Sequence, residues 1–486
     1  MGGQARYTPG MIDSAAKSGR RPRAPMLPIV LFSAVVVFAL YPGWLFYDSA
    51  TQWDFAKRIV DNGFPLRLST LYINSQWPIF LTLLKVPFLA LTGEVGLYVF
   101  CQSVVMLWAI WFFIREAAGR LLGPSTLSLC FWAVALTPFV WGYAVFHSSD
   151  TIAALITLPM LAVLAADCLT GRSLATFTAC AVVLVLSRFN AAPAGMFLAG
   201  ALAVVHRADL IRLKRVAALS GAVAAIIVGV TLAYQRTANP VDIVMDGMLL
   251  RVWDVEQRVN DPKLSERLNA LAVKPVTEPL NADCFDNGTF CPQMRETFDL
   301  ANLPYNAVTK LYLGTLLRHP IAFAQASARF GYHQLGIPMP LGEDELGWNK
   351  EYQPAFERLN QLFDARKAWA RDVIHASEWF PWGVPARPAV MIALSLLGAV
   401  FILRSGRLTW LCAGFYIFWY GPLMAIAPAF GFRYAFPITL VAYLIICASA
   451  AVLISRVIAR VKMQIAPRKA RAARLRGKSA VEGEAS

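Results

Sequence analysis

Two carboxylates and two guanidinium groups stand in or beside apolar sequence, where charge is expensive. Asp48 follows the apolar run that begins near Met26. Asp150 lies in VFHSSDT, with His147 just before it. Arg188 and Asn190 lie in SRFNAAPAG, and Arg433 with Tyr434 in FGFRYAFP. A carboxylate at membrane depth is costly unless it is paired or reaches water, so each is a functional candidate by default. Such a group can orient or accept a proton, or hold a divalent cation. A guanidinium fork matches the oxygens of a phosphate. Each residue also has a plainer use. Asp48 can cap a helix starting near Ser49, and Asp150 one starting at Thr151. Arg188 can be a snorkelling anchor, and Tyr434 a member of an aromatic belt.

The elements that position these groups follow from composition. Of 486 residues, 57% are apolar and only 15% charged, with a mean hydropathy of +0.51. A soluble chain carries about a quarter charged residues, so several water-facing domains are excluded, as is intrinsic disorder. The net charge of +15 raises nucleic acid as a partner. The basic residues, however, cluster at Arg6–Arg23 and Arg456–Lys478, flanking apolar runs. That is a positive-inside signal with an affinity for anionic lipid, and no nucleic-acid partner is expected. No cleavable signal peptide is expected either: the first apolar run is long for one, and no small-residue cleavage site follows it.

A crossing helix needs about 20 residues. Candidate spans are 27–45, 95–114, 125–145, 151–167, 173–188, 191–206, 216–234, 388–404, 408–428 and 434–455. Trp77–Leu91 is shorter, with Lys85 at its middle and Pro78 and Pro87 near its ends. The turn HRADLIRLKR (206–215), Arg115/Arg120, Arg172 and Arg404/Arg407 all read as cytoplasmic only if Trp77–Leu91 does not cross. The expected fold is an all-α polytopic membrane protein with about ten transmembrane helices, interfacial helices and a helix-rich extracytoplasmic domain. The expected division is a basic cytoplasmic tail (1–26), a transmembrane module (27–234) with a first outer loop (45–94), an extracytoplasmic domain (235–387), C-terminal transmembrane helices (388–455) and a second basic tail (456–486). Both termini are expected in the cytoplasm. Asp48, Asp150, Arg188 and Arg433 then share one outer face, and 49–61 reads as an amphipathic interfacial helix.

Six cysteines lie in or beside spans, as small apolar fillers. Cys284 and Cys291, in ADCFDNGTFCP, suit a disulfide in an oxidising compartment; zinc would need two further ligands that no nearby residue offers. Asn287-Gly288-Thr289 matches a glycosylation acceptor.

Carboxylates and guanidinium groups at one membrane depth suit glycosyl transfer from a lipid-linked phosphosugar. The polyprenyl tail stays in the bilayer, cations hold the leaving phosphate, and a carboxylate meets the acceptor. The motifs that bear on this are Pro42-Gly43 with Tyr47-Asp48-Ser49 and Gln52, then Asn74–Pro78 leading to Gly93, Arg188-Phe189-Asn190, and Arg433-Tyr434 with Pro437. Together they resemble a bacterial branch of the GT-C class of integral-membrane glycosyltransferases, over roughly residues 30–200 and 425–440, with a weaker likeness at 311–326. Gln76-Trp77 departs from the His-Pro often found there. The resemblance implies Asp48 and Asp150 as catalytic acids or bases, and Arg188, Arg433 and Tyr434 on the donor phosphate, supported by Gln52, His147 and Asn190. It implies a polyprenyl-phosphate sugar donor, a glycan, lipid or protein acceptor, and a bacterial inner membrane with the active face outward. No cofactor is required by it; Mg²⁺ or Mn²⁺ would use Asp48 and Asp150. A glycan ligase or polymerase would share the arginines. A transporter would want mid-bilayer charges and matching halves, and the chain has no internal repeat.

Overall fold

A computed structural model of the chain describes residues 24–40, 47–62, 79–188, 191–235, 242–281, 284, 291–300, 302–335, 387–426 and 432–483. Among these residues every regular element is helical. In chain order the elements are α1 (Met26–Leu40), α2 (Tyr47–Asp61), α3 (Ile79–Thr92), α4 (Gly96–Ala118), α5 (Pro124–Ala135), α6 (Pro138–Ala144), α7 (Ser149–Ala165), α8 (Gly171–Ser187), α9 (Ala192–Val205), α10 (Arg207–Arg212) and α11 (Lys214–Gln235). There follow α12 (Asp242–Val259), α13 (Pro262–Asn269), α14 (Pro292–Thr297), α15 (Tyr305–Arg318), α16 (Pro320–Gln334), α17 (Pro388–Leu397), α18 (Gly406–Ile426) and α19 (Phe432–Gly483).

The axis of the larger unit is α7. Every residue from Asp150 to Leu164 is buried. A helix that is apolar on all sides needs neighbours on all sides, and α4, α8, α9, α18 and α19 supply them. The polar side chains at its two ends differ in kind. At its last turn, Arg407 donates to the carbonyls of Ala166 (2.9 Å) and Val205 (3.4 Å). Asp209 accepts from the Leu169 amide at 2.8 Å, and Arg120 pairs with Asp167. The basic 206–215 turn therefore lies at the opposite end of α7 from Asp150.

Span lengths differ from expectation. Among the described residues three helices are long and apolar enough to cross a bilayer: Gly96–Ala118, Gly406–Ala425 and Ala435–Val461. Seven further apolar helices are shorter, such as Ala192–Val205 and Ser149–Ala165. Proline is one cause. The 125–145 segment is cut at Thr137-Pro138 into α5 and α6, because proline lacks the amide that would continue the ladder. In the 235–387 segment, α15 likewise ends just before Pro320, where α16 begins. The 388–404 segment passes into a π-turn over Gly398–Ile402. α19 has no such break and runs on through the basic tail for 52 residues.

A second apolar cluster is built by α12–α16 around Met245, Leu249, Trp253, Phe298, Val308 and Phe323. Cys284 and Cys291 are joined there as a disulfide. The buried side of α12 also carries charge: Asp246, Arg251 and Asp254 are each no more than 2% exposed. Asp254 is hydrogen-bonded by Arg258 (2.9 and 3.3 Å) and by Arg329 (3.4 Å). Among the described residues neither carboxylate oxygen of Asp246 has a hydrogen-bond donor. Burial pushes its pKa from 3.8 up to about 7, against the opposing pull of Arg295 and Arg251.

The folded protein thus holds the Asp246 proton through a range in which the unfolded chain has released it. This group's contribution to stability falls as pH rises from about 4 to about 7, and stays low above that. Asp246→Asn removes the penalty. Thermal unfolding in detergent should show a Tm gain over the parent that grows across that window and levels off above it. A gain of equal size at about pH 5 and about pH 8 would contradict the assignment.

Candidate functional site

At the Ser149 end of α7 the buried polar groups gather. Ser148, rather than Asp150, is the N-cap of α7: its hydroxyl accepts from the Asp150 amide at 3.1 Å. The same hydroxyl donates to Asp150 Oδ2 at 3.1 Å. Asp150 is therefore the second residue of the helix, 2% exposed, with its carboxylate at the positive end of the α7 dipole. A serine two residues ahead satisfies the cap, which leaves the aspartate for another partner.

That partner is Arg188. Its guanidinium forms an ion pair with Asp150 and donates to Ser149 Oγ at 3.2 Å. Arg188 follows the last residue of α8, where the carbonyl end of the helix favours a cation. It is 7% exposed and lies 5.9 Å from the Trp419 ring of α18, so the snorkelling reading is overturned. Snorkelling needs an open path to water, and α7, α8 and α18 close it.

A second buried cation, Lys85, was not among the site candidates read from the sequence. Residues Leu81, Thr82, Lys85, Val86 and Leu89 form the buried face of α3, and Lys85 sits at its centre, 2% exposed. Its ammonium donates to Gln52 Oε1 of α2 at 2.7 Å and lies 5.9 Å from the Tyr98 ring of α4. Tyr98 in turn faces the His147 ring, with centroids 5.4 Å apart. The Gln102 amide holds the turn before α7 by donating to the carbonyls of Ala144 (3.0 Å) and Phe146 (2.9 Å). Gln52, Lys85, Tyr98 and His147 thus form one series of contacts, which ends three residues before Asp150 and its partner Arg188. The sequence signal for Lys85 was available: a lysine within an apolar run, one heptad from nothing else charged.

The remaining candidates are placed by their main chains. Asp48 is the second residue of α2, inside the helix rather than capping it, and one turn before Gln52. Arg433 is the second residue of α19, and Phe436, one turn on, stacks on Tyr143 at 3.9 Å. Tyr143 also meets Phe146, at 5.4 Å. Both helix starts therefore lie at the end of the bundle that holds Asp150. The side chains of Asp48, Arg433 and Tyr434 lie outside the described residues, as do Asn190, Pro42-Gly43, Asn74–Pro78 and Asn287–Thr289. Among the described residues no three His, Cys, Asp or Glu side chains are grouped to hold a metal ion.

No known family pattern matches the chain, and no curated relative does. Its structure is similar to the crystal structure of ArnT from Cupriavidus metallidurans bound to undecaprenyl phosphate. The likeness covers 88% of this chain and 77% of that one, at 14% identity and a TM-score of 0.34. A likeness this loose carries no residue role from one chain to the other.

The burial of the Asp150–Arg188 pair has a direct consequence. Asp150→Ala leaves a buried guanidinium without its carboxylate, and should cost about 3–5 kcal/mol. The double variant Asp150→Asn with Arg188→Met should recover most of that loss. Thermal unfolding of the three proteins in one detergent checks this; a single variant as stable as the parent would mean that water reaches the pair.

Proposed function

We propose that the chain is a membrane glycosyltransferase. In this reading it moves a sugar from a polyprenyl-phosphate donor to a glycan, lipid or protein acceptor at the extracytoplasmic face of a bacterial inner membrane. The observation that carries the reading is the burial of Lys85 and of the Asp150–Arg188 pair toward one end of a largely apolar helical bundle. Ionic groups at such a place are costly, and are kept where something charged must be met. A donor with its tail among lipids and its phosphate at the helix ends supplies that charge.

The chemistry assigns a role to each group. An acceptor hydroxyl attacks the anomeric carbon as the bond from that carbon to the phosphate oxygen breaks. The phosphate leaves with the electron pair. Arg188 and Arg433, as guanidinium forks, and Lys85, as a compact ammonium, stabilise the charge that grows on its oxygens. Gln52 orients Lys85, with Tyr98 and then His147 packed beside it. Asp48 meets the acceptor hydroxyl. A carboxylate of ordinary pKa, near 3.9, is a weak base at neutral pH, so its first task is orientation of that hydroxyl, with the proton passing to it as the bond forms. Asp150 holds Arg188 in register. A Mg²⁺ or Mn²⁺ site built on Asp48 and Asp150 would compete with that pair, since the same carboxylate would serve both cations.

The purified full-length chain in lipid nanodiscs, given a lipid-linked sugar and envelope acceptors, tests the reading. Asp48→Asn should abolish transfer with abundance and Tm unchanged. Lys85→Met should raise the donor KM by about tenfold or more, the size expected for losing a charged phosphate contact. EDTA should leave activity intact. Full activity in Asp48→Asn would remove Asp48 from the chemistry, and loss with EDTA would restore the metal.

A further inference from the structure

The helical unit α12–α16 grips the end of α18 where that helix runs out of its own hydrogen-bond donors. Arg251, fully buried, donates from Nε (3.2 Å) and Nη2 (3.0 Å) to the carbonyl of Met424. Tyr312 Oη donates to the carbonyl of Ala425 at 3.2 Å. These are last-turn carbonyls, which have no partner within their helix. A cation there also meets the negative end of the dipole. The grip is braced on its far side. The Arg251 guanidinium lies 4.0 Å from the Phe330 ring, and Gly331 leaves no room for a side chain without displacing Met424. Asp254 supplies negative charge to Arg251 from its own helix, and Asp246 adds to it once its proton is lost.

What α18 does next links this grip to the candidate site. Little more than one turn before Met424, Trp419 presents its ring to Arg188. Just beyond Ile426 the chain enters α19, whose second residue is Arg433. A shift or rotation of the α18 end would therefore move the wall against which Arg188 lies and the start of the helix that carries Arg433. We infer that Arg251 and Tyr312 are positioning residues: they fix the α18 end, and through Trp419 they hold Arg188 in the place where it meets an anionic ligand. The ligand part of this inference rests on the proposed donor site; the positional part does not.

Tyr312→Phe removes one hydroxyl and little else, and Arg251→Lys keeps the charge but not the fork. Hydrogen–deuterium exchange on the full chain in nanodiscs reads the positional part. Tyr312→Phe should speed exchange at 419–426 and also at 148–152 and 186–188, by about threefold or more, with 159–165 at the far end of α7 unchanged. Faster exchange confined to 419–426, or spread evenly over the chain, overturns the inference. Binding of undecaprenyl phosphate reads the ligand part. Either variant should weaken it by about fivefold, the worth of one hydrogen bond, and should add nothing in an Arg188→Lys background. A parent that binds this lipid, with Arg188→Lys weakened but both clamp variants unaffected, overturns the inference and leaves the donor reading standing. A parent that does not bind it removes the donor reading, and the exchange pattern alone then decides the clamp.

Discussion

The pairing of Asp150 with Arg188 is the constraint on which the arrangement depends. Neither charge would be stable alone at that depth, and each reaches it from a helix end whose dipole favours its sign. Asp150 stands in the first turn of α7, where main-chain amides point outward. Arg188 stands just past the last turn of α8, where carbonyls do. The pair thus ties together the open end of two packed antiparallel helices, opposite the turn that joins them, and Ser148 and Ser149 add hydrogen bonds to it. A largely apolar α7 can then sit in the middle of the bundle with its one carboxylate paired.

Around that pair the bundle is polar at one end and differently polar at the other. At the Asp209 end, Arg407, His206 and Asp209 tie helix termini together through main-chain carbonyls and amides. Those contacts staple the structure. At the Asp150 end the polar groups are side chains facing one another and aromatic rings: Lys85 with Gln52 and Tyr98, Tyr98 with His147, Arg188 with Trp419. Cations beside aromatic faces are attracted by the negative face of the ring. An arrangement of that kind is suited to an anion that arrives from the lipid side.

The α18 helix connects the two apolar clusters. Its middle belongs to the bundle, its ring at Trp419 to the charged group, and its last carbonyls to Arg251 and Tyr312. A helix held at three such points behaves as a strut. The buried charges of α12 make sense in this light, because Arg251 can lie in an apolar unit only if acidic neighbours and a helix end receive it.

Composition and charge placement already dictated a helical membrane protein, since apolar runs of about 20 residues match a crossing helix, whereas barrel strands are shorter and alternate. Single ionisable residues at the edges of apolar runs, Asp48, Asp150, Arg188 and Arg433, were likewise legible one by one, as each breaks a local pattern. Their local roles were less so: the cap of α7 went to Ser148, because two neighbouring residues could both fill it and sequence does not rank them. Lys85 was legible as a charge within a short apolar segment, but its burial was not, since burial of one helix face depends on what packs there. Arg188 could be paired with Asp150, and Arg251 with Met424, only by folding, because those partners are 38 and 173 residues apart. Periodicity and composition act over a few turns of chain. Which distant helix ends meet is decided by packing, and with it which charges must share one low-dielectric space.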